Sequence, residues 1–277
     1  MPLRRLYTAL VTRSIADSGT GNDLALVINQ NGVDHLHSTL PPNGDTAQED
    51  LKAGQANLYR LNVLANGITP EQLTNQSIRM IIKGDDEWRP EHMFVWGERA
   101  ESPSIVPLAA AFNITTRLST DDEGHGAVSS LPLSLVKVGG VDTPINRLLV
   151  AMETANVENA GTENKIELTM ANHQGLHVVA HRFNDTSQLD QDRGEANVHV
   201  IPALSTFRKV DIDPASVRLR IKGGDAWRPA KFFLFGIDTR EGRPQVMVPL
   251  VHRDPWGSQQ LSTDLGEGHA FVTLPLV

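Results

Sequence analysis

The stretch that decides the fold is Lys222-Gly223-Gly224-Asp225-Ala226-Trp227-Arg228-Pro229, because residues 83–90 carry a closely similar one, Lys-Gly-Asp-Asp-Glu-Trp-Arg-Pro. Before it, residues 217–222 alternate between apolar and basic side chains, which is typical of a strand with one buried face. After it, residues 232–235 are all apolar and end at Gly236, which is typical of a strand buried on both faces. The pattern predicts a β-hairpin with an acidic tip and a tryptophan at its root, present twice.

Composition sets the class of protein. The chain has 277 residues, enough for two ordinary domains, and a formal net charge of −8, which argues against a sequence-independent nucleic-acid binder. No apolar run approaches the ~18 residues of a membrane span, and the first residues lack a signal-peptide core. The absence of cysteine excludes disulfides and cysteine-ligated zinc. We therefore expect a soluble, cytoplasmic protein that binds no nucleic acid.

The repeat extends beyond the tryptophan motif. Matching segments, given as pairs, are 18–22 with 160–164, 45–57 with 185–197, 106–108 with 248–250, 118–125 with 261–269, and 131–133 with 274–276. A period near 140 residues is too long for a solenoid and indicates two complete domains. Short strands between turn residues predict an all-β fold, two tandem antiparallel β-sandwiches at 1–133 and 147–277 joined by a linker at 134–146.

The second copy resembles the PLAT/LH2 domain, the β-sandwich attached to lipoxygenases and pancreatic-type lipases. Four short motifs occur in that family's order: Ala160-Gly161-Thr162-Glu163-Asn164, then Asp190-Gln191-Asp192-Arg193-Gly194, then Asp225-Ala226-Trp227, and finally a loop with Trp256. The resemblance covers the whole second copy and, through the repeat, the first.

The resemblance implies that these loops can bind Ca²⁺, a cation that takes six to eight oxygen ligands. Carried over by position, the ligands in the second copy are the Gly161 carbonyl, Glu163, Asn164, Asp190, Asp192 and Asp225. The first copy offers Asn22, Asp50, Asp86 and Glu87, but Gly21 and Lys52 stand where acidic residues are expected. The competing interpretation is that these residues only form turns in contact with solvent.

The resemblance also implies that exposed aromatic side chains can enter a membrane interface. Asp17 and Asn159 stand where membrane-docking members usually have an aromatic residue, and only Trp256 keeps its place. Trp256 is the predicted contact residue, as an interfacial anchor, a protein-contact residue or a side chain folded back onto its own loop. Peripheral membrane contact is therefore the less favoured alternative, and a net-acidic protein is also repelled by anionic lipids unless Ca²⁺ bridges them.

Catalytic residue types occur in one loop of each copy. These are Ser119, Asp121 and His125 in the first copy, and Ser262, Asp264 and His269 in the second. A catalytic triad needs its members on separate rigid elements, so a structural turn is the better interpretation. No Gly-x-Ser-x-Gly, His-Glu-x-x-His or Walker motif is present, and we predict that the chain is not an enzyme. Trp88, Trp96 and Trp227 are predicted core residues.

Three functions are compatible with these sequence features. The first is a non-catalytic tandem binding module that recognises a protein or lipid-like partner, with Ca²⁺ as the implied cofactor. The second is a structural protein that forms homo-oligomers through its apolar Val-Pro-Leu segments, without metal. A small hydrolase is the weakest of the three. Neither the partner nor the biological process follows from the sequence.

Overall fold

The computed structural model describes residues 1–40, 51–63, 67–84, 86–102, 104–121, 126–183, 191–240, 245–264 and 266–277, apart from the side chains of His37 and Asn62. The chain divides into two compact units, unit one (Met1–Lys137) and unit two (Val138–Val277). Unit one contains β1 (Leu3–Thr12), β2 (Asp23–Gln30), β3 (Val33–Leu40), β4 (Ala56–Asn62), a 3-10 turn (Pro70–Gln72), β5 (Ile78–Lys83), β6 (Pro90–Arg99), β7 (Ile105–Ala111) and β8 (Ser130–Pro132).

Strand β9 (Lys137–Val138) spans the boundary between the units. Unit two then contains β10 (Pro144–Thr154), β11 (Lys165–Ala171), β12 (His177–Phe183), β13 (Ala196–Arg208), 3-10 turns at Lys209–Asp211 and Pro214–Ser216, β14 (Arg218–Lys222), β15 (Pro229–Asp238), β16 (Val246–Arg253) and β17 (Phe271–Thr273). The boundary falls within the predicted linker, residues 134–146, but that segment holds β9 and the start of β10. Its Ile145 is fully buried in the core of unit two.

Unit two is built from two antiparallel layers. One is a four-stranded sheet in the order β12-β11-β14-β17. In the other, β10 lies between β13 and β15, and β16 pairs with β15. The inward side chains of both layers, such as Leu168 and Leu219 from one and Leu148 and Phe232 from the other, share one hydrophobic core. This arrangement is the predicted antiparallel β-sandwich.

Unit one pairs its strands in the same order. Its four-stranded sheet is β3-β2-β5-β8, and in its other layer β1 lies between β4 and β6, with β7 beside β6. Its inward side chains, among them Leu26, Met80 and Leu10, form a separate core. The prediction of an all-β fold is therefore confirmed for both units.

The predicted β-hairpin is wrong, although its two strands are present. β14 pairs with β11 and β17, whereas β15 pairs with β10 and β16, so the intervening turn crosses from one layer to the other. β5 and β6 of unit one are arranged in the same way. The difference in burial explains the crossing. β14 has one face exposed to solvent. Residues 232–235 of β15 are fully buried, so both faces of that strand must be covered by other residues.

The tryptophan after each crossing turn closes the end of its core. Trp88 and Trp227 are fully buried, and each indole Nε1 donates a 3.0 Å hydrogen bond, to Thr12 Oγ1 and Thr154 Oγ1 respectively. Trp96 is also buried and stacks on Tyr7, with 5.8 Å between ring centroids. The prediction that these three tryptophans belong to the core is confirmed.

No helix among the described residues is long and apolar enough to cross a membrane.

Candidate functional site

Three loop segments of unit two meet at one end of its sandwich. They are residues 155–164, residues 191–195 and the crossing turn 223–228, and together they are called the loop end. Thr162 and Gln191 exchange two backbone hydrogen bonds, of 3.0 and 3.2 Å, which join the first segment to the second. The Arg228 amide donates to the Ala160 carbonyl at 2.9 Å, which joins the first segment to the turn. The acidic residues of the three segments are thereby brought to the same end of the unit.

The glycine of the Gly-Thr motif is required by this close approach. A Cβ atom on Gly161 would lie 2.8 Å from the Gln191 carbonyl oxygen, closer than real Cβ contacts. Gly19 of unit one meets the Leu51 carbonyl in the same way, at 2.7 Å. The backbone of Gly161 is thus committed to packing against the second segment.

Asn164 fastens the start of β11 to the crossing turn. Its Nδ2 donates to the Asp225 carbonyl at 2.9 Å, and its own amide donates to Thr162 Oγ1 at 3.1 Å. The amide side chain lies directly over Gly223, whose φ is +143°. Asn164 therefore acts as a bracket between two loops.

Three acidic side chains of the loop end, those of Glu163, Asp192 and Asp225, are exposed and form no ion pair with a described residue. Among the described residues, no salt bridge or side-chain hydrogen bond holds Glu163 or Asp192. Asp225 accepts a 2.9 Å hydrogen bond from the Ala226 amide through Oδ1, and its Oδ2 forms no hydrogen bond or ion pair with a described residue. The fourth predicted acidic ligand, Asp190, lies outside the described residues.

The described carboxylates do not form a ready-made metal site. Within the described ranges, no three His, Asp or Glu side chains are grouped closely enough to hold a metal ion. Glu163, Asp192 and Asp225 share one end of the unit but not one coordination sphere. A cation at this end would need a further ligand, for which Asp190 is the predicted residue.

In unit one an asparagine also joins the start of a strand to the crossing turn, but the acidic groups there have different partners. Asn22 Nδ2 donates to the Asp86 carbonyl at 3.3 Å, as Asn164 does to Asp225. Both carboxylate oxygens of Asp86 accept backbone hydrogen bonds of 2.9 Å, from Gly21 and Glu87. These bonds make Asp86 a turn-forming residue.

Glu87 is committed to an ion-pair network. Its carboxylate pairs with the Arg89 guanidinium and, at 2.7 Å, with Arg117 Nη1. Two guanidinium groups on one carboxylate disfavour a metal cation there, so the structure speaks against Glu87 as a ligand. Asp50 lies outside the described residues. The remaining predicted unit-one ligands, Asn22 and Asp86, both belong to the hydrogen-bond framework of their loops.

Trp256, the predicted contact residue, is buried, and its prediction as an exposed anchor is corrected. Only 2% of the residue is exposed, and its ring packs edge-on against Phe232 at 6.2 Å. The indole Nε1 donates to the Gln259 carbonyl at 2.9 Å, and the Arg253 guanidinium lies over the ring at 5.6 Å. Of the three interpretations open from the sequence, the side chain folded back onto its own loop is the one observed.

The Ser/Asp/His loop of unit two has a turn geometry. Ser262 is fully buried, and its Oγ accepts a 3.0 Å hydrogen bond from the Asp264 amide. The Ser262 amide donates to the His269 carbonyl at 3.0 Å, and no hydrogen bond among the described atoms joins the His269 ring to Ser262. The unit-one counterpart of this histidine, His125, lies outside the described residues.

The apolar Val-Pro-Leu segments lie in the cores rather than on open edges. Val106 and Leu108 are 6% and 3% exposed, and Val248 and Leu250 are 1% and 0% exposed. The valine and leucine side chains predicted as oligomer contacts are therefore buried in the cores of their own units.

The structure also brings together residues that sequence patterns did not single out. The ring of His199 on β13 packs against that of Phe183 on β12, with 4.8 Å between centroids and the planes tilted by 44°, and the His181 ring centroid lies 6.4 Å from that of His199. His199 Nε2 is buried without a hydrogen-bond partner among the described residues. Burial, and secondarily the neighbouring His181, lowers the pKa of His199 to about 4. No sequence pattern places these histidines together, because β12 and β13 belong to different layers that meet only in the folded unit.

Comparisons with known proteins leave the family open. No family model matches the chain, and no curated protein matches it. Among solved structures, alpha toxin from Clostridium absonum is similar at 18% identity and a TM-score of 0.37. The match covers 48% of this chain and 32% of the toxin, so it spans about a third of that protein.

Proposed function

We propose that the chain is a non-catalytic binding module of two PLAT/LH2-like sandwiches, and that unit two recognises a protein or lipid-like partner through its loop end. One observation carries this proposal. The loop end of unit two presents Glu163, Asp192 and Asp225 without ion-pair partners among the described residues, on segments fixed to each other by backbone hydrogen bonds.

The contrast with unit one supports a binding role over a purely structural one. In unit one, Asp86 accepts hydrogen bonds from the Gly21 and Glu87 amides and Glu87 pairs with arginines, so both acidic residues contribute to the loop's own stability. In unit two, Ala226 replaces Glu87, and the carboxylates are left to interact with something outside the chain. A cation or a basic partner interacts favourably with exposed carboxylates at one end of a unit.

Ca²⁺ is the proposed cofactor, and its ligands would come from Asp190 and from those of Glu163, Asp192 and Asp225 that lie near enough to it, since these three do not share one coordination sphere. The ion would neutralise the loop end and let it approach an acidic or zwitterionic partner. The calorimetric test is titration of Ca²⁺ into chelator-treated protein, with Mg²⁺ as the control ion. We expect saturable binding near one site per chain, selective for Ca²⁺.

Two matched variants locate the site. Asp225→Asn should abolish Ca²⁺ binding, whereas Asp86→Asn, at the corresponding position of unit one, should leave it unchanged. Vesicles of phosphatidylcholine, with and without phosphatidylserine, then test lipid contact in the presence of Ca²⁺ or chelator. A flat titration of the unmodified protein would show that it does not bind Ca²⁺. Identical behaviour of the two variants would show that the loop end of unit two is not the binding site.

Self-assembly is the second candidate, and exposed apolar tips favour it. The hairpins β2–β3 and β11–β12 carry Val33 and Leu176, which are 60% and 63% exposed. An apolar side chain exposed at the same turn of both units could contribute to a contact between copies of the chain. Size-exclusion chromatography with light scattering, in chelator, separates the candidates. A defined oligomer that dissociates in a Val33→Ser, Leu176→Ser variant supports assembly, and a monomer excludes it.

A further inference from the structure

The outer face of the four-stranded sheet of unit two carries a concentrated positive charge. Arg218, Arg220 and Lys222 are the exposed alternate residues of β14, and they are called the basic face. Alternate residues on a strand are about 7 Å apart, so the three cations form a row about 14 Å long. The whole chain has a net charge of −8, which makes this face opposite in sign to the protein that carries it.

The row lines a groove of about 410 Å³. Thr169 of β11 and Phe271 of β17 form its sides, and Glu167 lies within it. Phe271 is 47% exposed, and the Arg218 guanidinium lies 5.2 Å from its ring centroid. The groove thus combines cations with an exposed apolar ledge.

The cations differ in how far they are already neutralised. Lys222 Nζ lies 2.9 Å from Glu167 Oε2, and this hydrogen bond is the main reason that the pKa of Glu167 is lowered. Arg220, at the centre of the row, has no hydrogen-bond or ion-pair partner among the described residues. An unpaired guanidinium on a strand offers a planar donor pair that fits a carboxylate in two-point contact.

From this geometry we infer that the basic face binds an extended peptide segment with acidic side chains at alternate positions. An extended peptide repeats its side chains on one face every ~7 Å, which is the spacing of the row, and an apolar side chain of the same segment can rest on Phe271. The bound segment would come from a partner protein. This surface adjoins the loop end at Lys222, but none of its residues is a proposed Ca²⁺ ligand, so binding there does not depend on Ca²⁺.

Charge within the groove favours a peptide over a dense polyanion. Glu167 lies among the cations and would repel closely spaced phosphates or sulfates, whereas a peptide can present an amide or hydroxyl to it. The overall negative charge also opposes non-specific attraction to nucleic acid or anionic lipid.

The test uses fluorescently labelled Thr-Glu-Thr-Glu-Thr-Glu-Thr, measured by anisotropy with the full chain in chelator at low salt. Two control peptides are the same sequence with Gln for Glu, and one with the three Glu residues adjacent. We expect the alternating acidic peptide to bind most tightly, the adjacent-Glu peptide more weakly, and the Gln peptide not at all. Heparin and phosphatidylserine vesicles serve as competitors and should displace the peptide poorly.

Variants of the row locate the binding. Arg220→Gln should weaken binding about two- to fivefold, and Arg218→Gln with Arg220→Gln about tenfold, since exposed charge pairs contribute modestly. Arg79→Gln, at the unit-one position matching Arg218, is the control and should have no effect. Phe271→Ala should weaken the peptide Thr-Glu-Thr-Glu-Thr-Val-Thr, whose Val lies on the same face as its Glu residues, more than the Glu/Thr peptide.

The proposal is overturned if the Glu and Gln peptides bind alike, if neither binds, or if the arginine variants bind as the unmodified protein does. Stronger displacement by heparin or by the vesicles would assign the face to polyanions or lipid instead. Binding in chelator, and in Asp225→Asn, separates these outcomes from failure of the loop-end proposal.

Discussion

At the scale of single residues, the buried indole hydrogen bonds are the most direct link from sequence to stability. Trp227 and Thr154 are both fully buried and joined by a 3.0 Å hydrogen bond. In Thr154→Val the hydroxyl is replaced by a methyl group, and the indole N–H keeps no partner in an apolar environment. We expect a loss of about 1–3 kcal/mol in the free energy of unfolding, measured by urea denaturation.

Two controls test that reason. Thr154→Ser keeps the hydroxyl and should lose much less stability than Thr154→Val. Thr12→Val removes the same hydrogen bond from Trp88 and should destabilise unit one by a similar amount. If valine is tolerated at both positions, the indole hydrogen bonds are not important to either core.

His199 makes the stability of unit two dependent on pH. Its folded-state pKa is about 4, below the ordinary value of 6.5, so below pH 6.5 the unfolded chain takes up the proton more readily. The stabilising contribution of the neutral His199 ring is fully present above pH 6.5 and decreases as the pH is lowered towards about 4. Below that pH this group causes no further change in stability. The total loss should be at most about 3 kcal/mol.

The measurement is urea denaturation of unit two across that pH range, in the unmodified chain and in His199→Tyr. Tyrosine is the residue that unit one has at the corresponding position, Tyr59, and it does not titrate in this range. The variant should lose much of the pH dependence attributable to this site. An unchanged pH profile would mean that His199 is solvated enough to titrate normally.

At the scale of elements, the crossing turn shows what could be predicted from the sequence. The alternation in residues 217–222 and the apolar run in 232–235 correctly predict the burial of β14 and β15. They predict the pairing wrongly, because periodicity reports which faces are buried and does not report which strand is the neighbour. A turn between two strands is compatible with a hairpin or with a crossing between layers.

The candidate site was predictable to a lesser extent, for the same kind of reason. Gly161 and Asn164 were selected by motif, but the structure uses them for close backbone approach and for bridging two loops. Trp256 was selected by its place in the family resemblance, whereas its burial depends on tertiary contacts, such as that with Phe232, which the loop sequence does not reveal. The basic face was visible as an alternation, whereas the groove beside it required β17, which is distant in sequence.

Gly223 offers the sharpest test of the turn itself. It has a φ of +143°, and an added Cβ would fall 1.8 Å from Asn164 Oδ1. Gly223→Ala should therefore lower the unfolding free energy by about 1–3 kcal/mol or more, through backbone strain and displacement of the Asn164 bracket. Gly224→Ala is the matched control, because nothing lies within 4 Å of its Cβ position. Equal stability of the two variants in thermal denaturation would contradict the bracket.

At the scale of the whole molecule, two separate cores imply two unfolding events that can be told apart. The buried clusters of the units share no residues, so each unit has its own source of hydrophobic stability. Variants confined to one unit, such as Thr154→Val and Thr12→Val, should each shift one calorimetric transition and thereby assign it. Once each transition is assigned, the effect of a ligand on the stability of either unit can be measured in the intact chain.

The two units should then respond differently to Ca²⁺. A ligand that binds only the folded state stabilises it by mass action, by about 2.7 kcal/mol when its concentration is 100 times Kd. The temperature of the unit-two transition should rise with Ca²⁺, because Glu163, Asp192 and Asp225 form no ion pair with a described residue. The unit-one transition should not, because Asp86 and Glu87 are held by amides and guanidiniums. Calorimetry of the unmodified chain and of Asp225→Asn, with and without chelator, measures this, and equal shifts of both transitions would refute the assignment of Ca²⁺ to unit two.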